Sequence, residues 1–197
     1  MSIGLWVRGA RPKTLVTSIA SVMVGAVMAY VHIERSGTCI AIYPEPASCA
    51  TAREQQTLLM DRFWPVTILC LLVALFLQIA VNYANDYSDG IRGTDAGRDT
   101  DESKSGKPQR LTASGLVPAK HVLFAAMICA AIACICGVVA VVLAQAWWLL
   151  AVGAASLLAG WFYTGGKHPY GYVGLGEVGV FLFLSLIHIS EPTRPEP

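Results

Sequence analysis

The stretch NYANDYSDGIRGTD, residues 82–95, sets two amides and three carboxylates directly behind a long apolar run. If a helix continues through residue 90, then Asn82, Asn85, Asp86 and Asp89 stand three or four positions apart and share one face. Asp86 and Asp89 repel each other there and oppose the dipole at a helix C-terminus, a cost of several tenths of a kcal/mol to about 1 kcal/mol. Such a cluster calls for a bound cation. Mg²⁺ suits it, because this hard ion prefers oxygen, takes one or two carboxylates, keeps water and lets phosphate complete its octahedron. Lys104, Lys107 and Arg110 follow in the chain and are placed to meet remaining phosphate charge. Metal and basic segment together point to a diphosphate. A calcium loop starting at Asn85 fails, with Tyr87 at its third ligand position and Ala96 where a bidentate Glu is needed. The plainer reading is a solvated loop, but polar side chains in the last turn of a membrane helix are costly and usually line a site.

The elements that must position this cluster are set by composition. The chain has 197 residues, 55% hydrophobic and 14% charged, with a mean hydropathy of +0.55. That excludes an ordinary soluble domain. A bilayer core needs about 20 apolar residues, and four stretches approach this: Leu15 to Ile33, Trp64 to Ala84, Val117 to Ala144 and Ala146 to Tyr163. A fifth begins at Val173. The expected fold class is all-α, a polytopic transmembrane bundle. The first span is too long for a cleaved signal peptide and is read as retained, although Arg8, Arg11 and Lys13 would suit a signal's basic flank.

Basic residues are unevenly divided among the connections. Arg8, Arg11, Lys13, Arg92, Arg98, Lys104, Lys107, Arg110, Lys120 and Lys167 fall on one side, against Arg35, Arg53 and Arg62 on the other. The positive-inside rule then puts the N-terminus and the carboxylate segment in the cytoplasm. Residues 34–63 read as a solvated outer connection with a short helix from Ala50 to Asp61, in which Cys39 and Cys49 are candidates for a disulfide. Cys70, Cys129, Cys134 and Cys136 read as small buried hydrophobes. The third and fourth spans meet at Gln145 almost without a loop, as an antiparallel hairpin. No internal repeat or heptad seam is visible. The glycines of GYVGLGEVG lack the preceding strand that a dinucleotide-binding fingerprint requires. The final SLIHISEPTRPEP, residues 185–197, resembles translated sequencing-adapter read-through and is expected to be non-native, leaving residues 1–184 as the membrane domain.

With these motifs in hand, NDYSDGIRGTD resembles the first aspartate-rich motif of the UbiA-type intramembrane aromatic prenyltransferases. YTGGKHPYGYVGLGE is similar to their loop after the fourth helix, and ARPKTL, residues 10–15, is similar to the N-terminal motif of the 1,4-dihydroxy-2-naphthoate polyprenyltransferase branch. The resemblance runs in order over residues 1 to about 184. It departs from the family at the motif's last aspartate: Gly93 stands at that position, and Asp95 follows two residues later. The family's second aspartate motif lies after its sixth helix in a bundle of nine, so the four to five helices here are expected to form the N-terminal part of such an enzyme.

The resemblance implies transfer of a polyprenyl group from polyprenyl diphosphate to 1,4-dihydroxy-2-naphthoate with loss of its carboxylate, giving demethylmenaquinone for menaquinone synthesis. It implies Mg²⁺ on Asn85, Asp86, Asp89 and Asp95, and catalytic roles for Asp86, Asp89, Tyr163 and Lys167. Lys167 closes a Y-x-x-x-K element with Tyr163 and reads either as a diphosphate ligand beside Lys104, Lys107 and Arg110 or as a positive-inside anchor. Arg11, Lys13 and Tyr170 are candidates for the aromatic acceptor. Tyr163, Tyr170 and Tyr172 could stabilise cationic carbon or merely form an interfacial belt. His121 and His168 could assist the acceptor or lie at the surface. Competing readings are an ion-conducting membrane transporter subunit, for which carboxylates belong near mid-membrane, and an inactive truncated fragment.

Overall fold

The computed structural model describes residues 3–36, 46–92, 111–112 and 117–164. Regular structure in them is helical throughout: α1 (Ile3–Gly9), α2 (Pro12–Ser36), α3 (Pro46–Arg92), α4 (Ala119–Ala144) and α5 (Trp148–Thr164). The chain is thus an all-α polytopic membrane bundle, with α2, α3 and α4 long and apolar enough to cross a bilayer. The first four helices belong to one compact unit, and α5 to a second. With 17 residues, α5 is about 25 Å long, at the short limit for a span. The fifth stretch from Val173, the Cys39–Cys49 pairing and residues 185–197 lie outside the described residues.

Two boundaries differ from expectation. The first span begins at Pro12, whose fixed φ and missing N–H suit the first helical position, and the short helix α1 precedes it. Residues Ala50 to Asp61 are not a separate outer helix; they run unbroken through Pro65 into the second span, giving α3 its 47 residues. Their Ala, Arg, Glu, Gln, Leu and Met residues are strong helix formers. Pro65 removes one backbone hydrogen bond without supplying any residue that would end the helix. At about 70 Å, α3 is more than twice as long as the hydrocarbon core is thick.

Around this rod α2 and α4 pack antiparallel. At the end remote from the carboxylates, Gln56 Nε2 donates to Glu34 O at 3.1 Å and Arg62 donates to Leu143 O at 3.2 Å. Each contact satisfies a carbonyl that a helix C-terminus leaves without an internal partner. Tyr30 and Phe63 meet edge to face nearby, with centroids 5.5 Å apart. Gln145, the expected hinge residue, adopts the left-handed conformation (φ 56°) and caps α4 through its N–H. Arg62 also brings positive charge to the C-terminal end of α4. Arg62→Ala is expected to lower stability by about 0.5–1 kcal/mol and to leave turnover at low temperature unchanged. Thermal denaturation in detergent measures this, and an unshifted midpoint would count against the cap.

One side of α4 buries Ala126, Ala133 and Ala140, seven residues apart, together with Val122 and Val141. Small residues at this spacing let helix backbones approach closely, and Val73 of α3 stands 3.8 Å from where a Cβ on Gly137 would lie. This seam leaves no mark in the sequence, because α4 is apolar on nearly every face and no periodicity stands out. At the carboxylate end a core of Ala10, Tyr83, Leu111, Val117, Val122 and Ala126 joins α1, α3 and α4.

Candidate functional site

The site grows from the last three turns of α3. The helix does continue past residue 90, to Arg92, so Asn82, Asn85, Asp86 and Asp89 span an arc of about 100°. Their environments differ. Asn82 and Asp86 are buried, at 4% and 2% exposure, while Asn85 and Asp89 are half-buried. Polarity therefore deepens from the helix end inward along one stripe.

Asn82 is a strut between elements. Its Nδ2 donates to Ala10 O at 2.7 Å and to Thr14 Oγ1 at 3.0 Å, and its Oδ1 lies 3.4 Å from the Gln78 amide nitrogen. Thr14 in turn donates to Arg11 O, through both its N–H and its hydroxyl, at 2.9 Å. These bonds hold the chain where α1 hands over to α2. Arg11, at that junction, has a φ of 51°, a left-handed conformation that costs a non-glycine residue roughly 1–2 kcal/mol. Beside Asn82, the Tyr83 hydroxyl donates to Trp6 O at 2.9 Å, and the two rings meet edge to face with centroids 5.6 Å apart. The ARPKTL segment is thereby clamped against the carboxylate helix.

Asp86 Oδ2 accepts the backbone N–H of Leu111 at 2.8 Å. Leu111 is fully buried, and Val117 N donates to its carbonyl at 3.2 Å. Thr112 crosses the helix at Gly90, where a Cβ would fall 2.6 Å from Thr112 Cβ. The glycine after Asp89 is thus required by close approach. An ionised carboxylate has about four acceptor sites, so the bond to Leu111 orients Asp86 without exhausting it.

Among the described residues, no group of three or more His, Cys, Asp or Glu side chains assembles a metal cage. The donors present are all oxygen, two carboxylates and an amide. Such a set fits a hard divalent cation that leaves its other positions to water and phosphate, and does not fit a soft metal.

Of the other residues singled out in the sequence, Arg11 is half-buried at the α1–α2 junction and Lys13 is exposed as the second residue of α2. His121 is exposed in the first turn of α4. Tyr163 falls in the last turn of α5. Asp95, Lys104, Lys107, Arg110, Lys167, His168, Tyr170 and Tyr172 lie outside the described residues. Sequence reasoning grouped Asn82 with the site-lining oxygens and passed over Leu111, Gly9 and Tyr83. The ARPKTL motif was the available signal that the N-terminal segment packs against the carboxylate helix.

Comparison with known proteins adds independent evidence. Residues 57–189 match the family model of the UbiA prenyltransferases. A protein of Mycobacterium tuberculosis named 1,4-dihydroxy-2-naphthoate octaprenyltransferase is 40% identical over 188 residues, 95% of this chain and 52% of its own length. Its namesake in Mycobacterium leprae is 37% identical with the same coverage, and that of Escherichia coli is 28% identical over 93% of this chain and 51% of its own. The chain therefore spans about half the length of the curated relatives it matches. No solved structure matches it. A continuous match over two-thirds of its residues, taking in the carboxylate helix, makes this chain a member of the UbiA prenyltransferase family.

Proposed function

We propose that the chain carries the diphosphate-binding part of an intramembrane enzyme that prenylates 1,4-dihydroxy-2-naphthoate from a polyprenyl diphosphate. The ring carboxylate is lost, and the product is demethylmenaquinone. The proposed setting is the cytoplasmic membrane, with the N-terminus and the carboxylate end of α3 at the cytoplasmic face. The observation that carries this reading is the paired Asp86 and Asp89 at the end of a membrane helix, braced by Leu111 and by the clamped N-terminal segment. The names of the relatives support the acceptor and the prenyl donor.

As the allylic C–O bond breaks, negative charge grows on the diphosphate oxygen that leaves. A divalent cation, Mg²⁺ in this proposal, supplies Lewis-acid stabilisation of that charge when bound. Asp86 and Asp89 would hold it, with Asn85 as a neutral oxygen donor and Asp95 as a further carboxylate. Lys104, Lys107, Arg110 and Lys167 are proposed to meet the remaining phosphate charge. Arg11, Lys13 and Tyr170 are proposed for the acceptor, and Tyr163 for stabilising positive carbon through its ring face. Tyr83, Trp6 and Leu111 close the inner side of the carboxylate stripe and exclude water from it. Asp86 and Asp89 lie within the last seven residues of α3, a position that favours binding an interfacial diphosphate over conducting an ion through mid-membrane.

The test is direct. The protein as encoded at its native locus, reconstituted in nanodiscs with Mg²⁺, is expected to convert a short prenyl diphosphate and 1,4-dihydroxy-2-naphthoate into the decarboxylated prenyl naphthoquinol. Mass spectrometry of the extracted product reads the result. Preference for 4-hydroxybenzoate or homogentisate would overturn the acceptor, and absence of any prenylated product would overturn the activity.

A further inference from the structure

We propose that Leu111 is a positioning residue for Asp86, and that the fit of its side chain against Gly9 is what sets the carboxylate's orientation. Every part of Leu111 is engaged: the N–H on Asp86 Oδ2, the carbonyl by Val117 N–H, and the side chain in the core with Tyr83 and Ala10. The side chain fits only because residue 9 is glycine. A Cβ there would lie 2.5 Å from Leu111 Cδ1, 2.8 Å from its Cγ and 3.2 Å from the Tyr83 ring. Leu111 is fully buried, so its side chain can shift only against the core around it, and the other neighbours are held. Tyr83 is held through its hydroxyl by Trp6 O, and the backbone beside Gly9 is held by Asn82 through Ala10 O.

The consequence is mechanical coupling between two motifs far apart in sequence. A displacement of α1 moves the Leu111 side chain, and with it the N–H that fixes one oxygen of Asp86. A carboxylate fixed by a backbone donor presents its remaining lone pairs in one direction, which lowers the reorganisation needed to receive a cation. The proposal rests on the functional reading above only for the identity of that cation and for the rate it affects.

The experiment pairs a steric variant with its compensation, in the natively encoded protein in nanodiscs. Hydrogen-exchange mass spectrometry with single-amide fragmentation, run without metal or substrate, reads the Leu111 amide. That amide is expected to be slow in the wild type and at least tenfold faster in Asp86→Ala and in Gly9→Ala. The double variant Gly9→Ala with Leu111→Ala moves one methyl into the space vacated by the leucine and is expected to recover protection to within about threefold. The Mg²⁺ concentration for half-maximal rate should rise about tenfold in Gly9→Ala and return in the double variant. A wild-type Leu111 amide that exchanges fast, or a folded Gly9→Ala with wild-type protection, overturns the inference. If Gly9→Ala does not fold, Leu111→Ala alone decides: retained slow exchange at residue 111 overturns the proposal, and accelerated exchange upholds it. If no form makes a prenylated product, the functional reading fails while the exchange results still decide this one.

Discussion

Asp86→Ala is expected to reduce prenyl transfer at least a hundredfold, and Asp89→Ala by a similar factor. Each replacement removes a carboxylate that would hold the cation against the leaving diphosphate, and losing one such electrostatic stabiliser costs about 3 kcal/mol of barrier. The two variants should nevertheless differ. Asp86 is buried and accepts the Leu111 N–H, so Asp86→Ala leaves a buried donor without its acceptor, a further cost to folding of roughly 1–3 kcal/mol. Asp89 is half-buried at the helix end, and its removal should affect turnover far more than stability. Asp86→Asn separates the contributions at residue 86, because an amide oxygen still accepts from Leu111 but carries no charge: stability should return while activity stays low. Turnover at the wild-type rate in either alanine variant would remove the metal assignment.

Asn82→Leu is expected to destabilise the protein by about 1–3 kcal/mol and to weaken acceptor use together with it. Leucine matches the volume but offers no donor, so Ala10 O, itself in the core, loses its partner in a place water does not reach. The orientation of the amide is not in question. Ala10 O can only accept, so the nitrogen of Asn82 must face it. It follows that Asn82→Asp, a one-atom change, should be at least as damaging, since it sets an oxygen against a carbonyl oxygen 2.7 Å away. Melting midpoints in detergent, with the KM for the naphthoate, measure both effects. An Asn82→Leu protein as stable as wild type would show that the clamp contributes nothing.

How far the sequence discloses these features follows from how local each is. The spans were legible because lipid forces each crossing segment to satisfy its own backbone, so apolar length alone marks it. The carboxylate stripe was legible because Asn82, Asn85, Asp86 and Asp89 obey the helical period within eight residues. The continuity of α3 was not, because Pro65 and the polar composition upstream argue for a break that the helix-forming residues outweigh. The clamp was least accessible. Asn82 and Ala10 are 72 residues apart, and Asp86 and Leu111 are 25 apart, and nothing near any of them marks a partner. Asn82 looked like one more site oxygen because its type and spacing were right. Only the packing shows that it faces the N-terminal segment.

The single rod of α3 has a consequence for which changes in length the protein tolerates. One residue inserted between Trp64 and Asn82 would turn everything beyond it by about 100° and advance it by about 1.5 Å. Hydropathy would scarcely change, yet Asn82, Tyr83 and Asp86 would point away from Ala10, Trp6 and Leu111. The same insertion near Pro46, ahead of the contacts at Gln56 and Arg62, would lengthen only the far tip and leave that phase intact. Between Trp64 and Asn82 the number of residues therefore matters more than their identity.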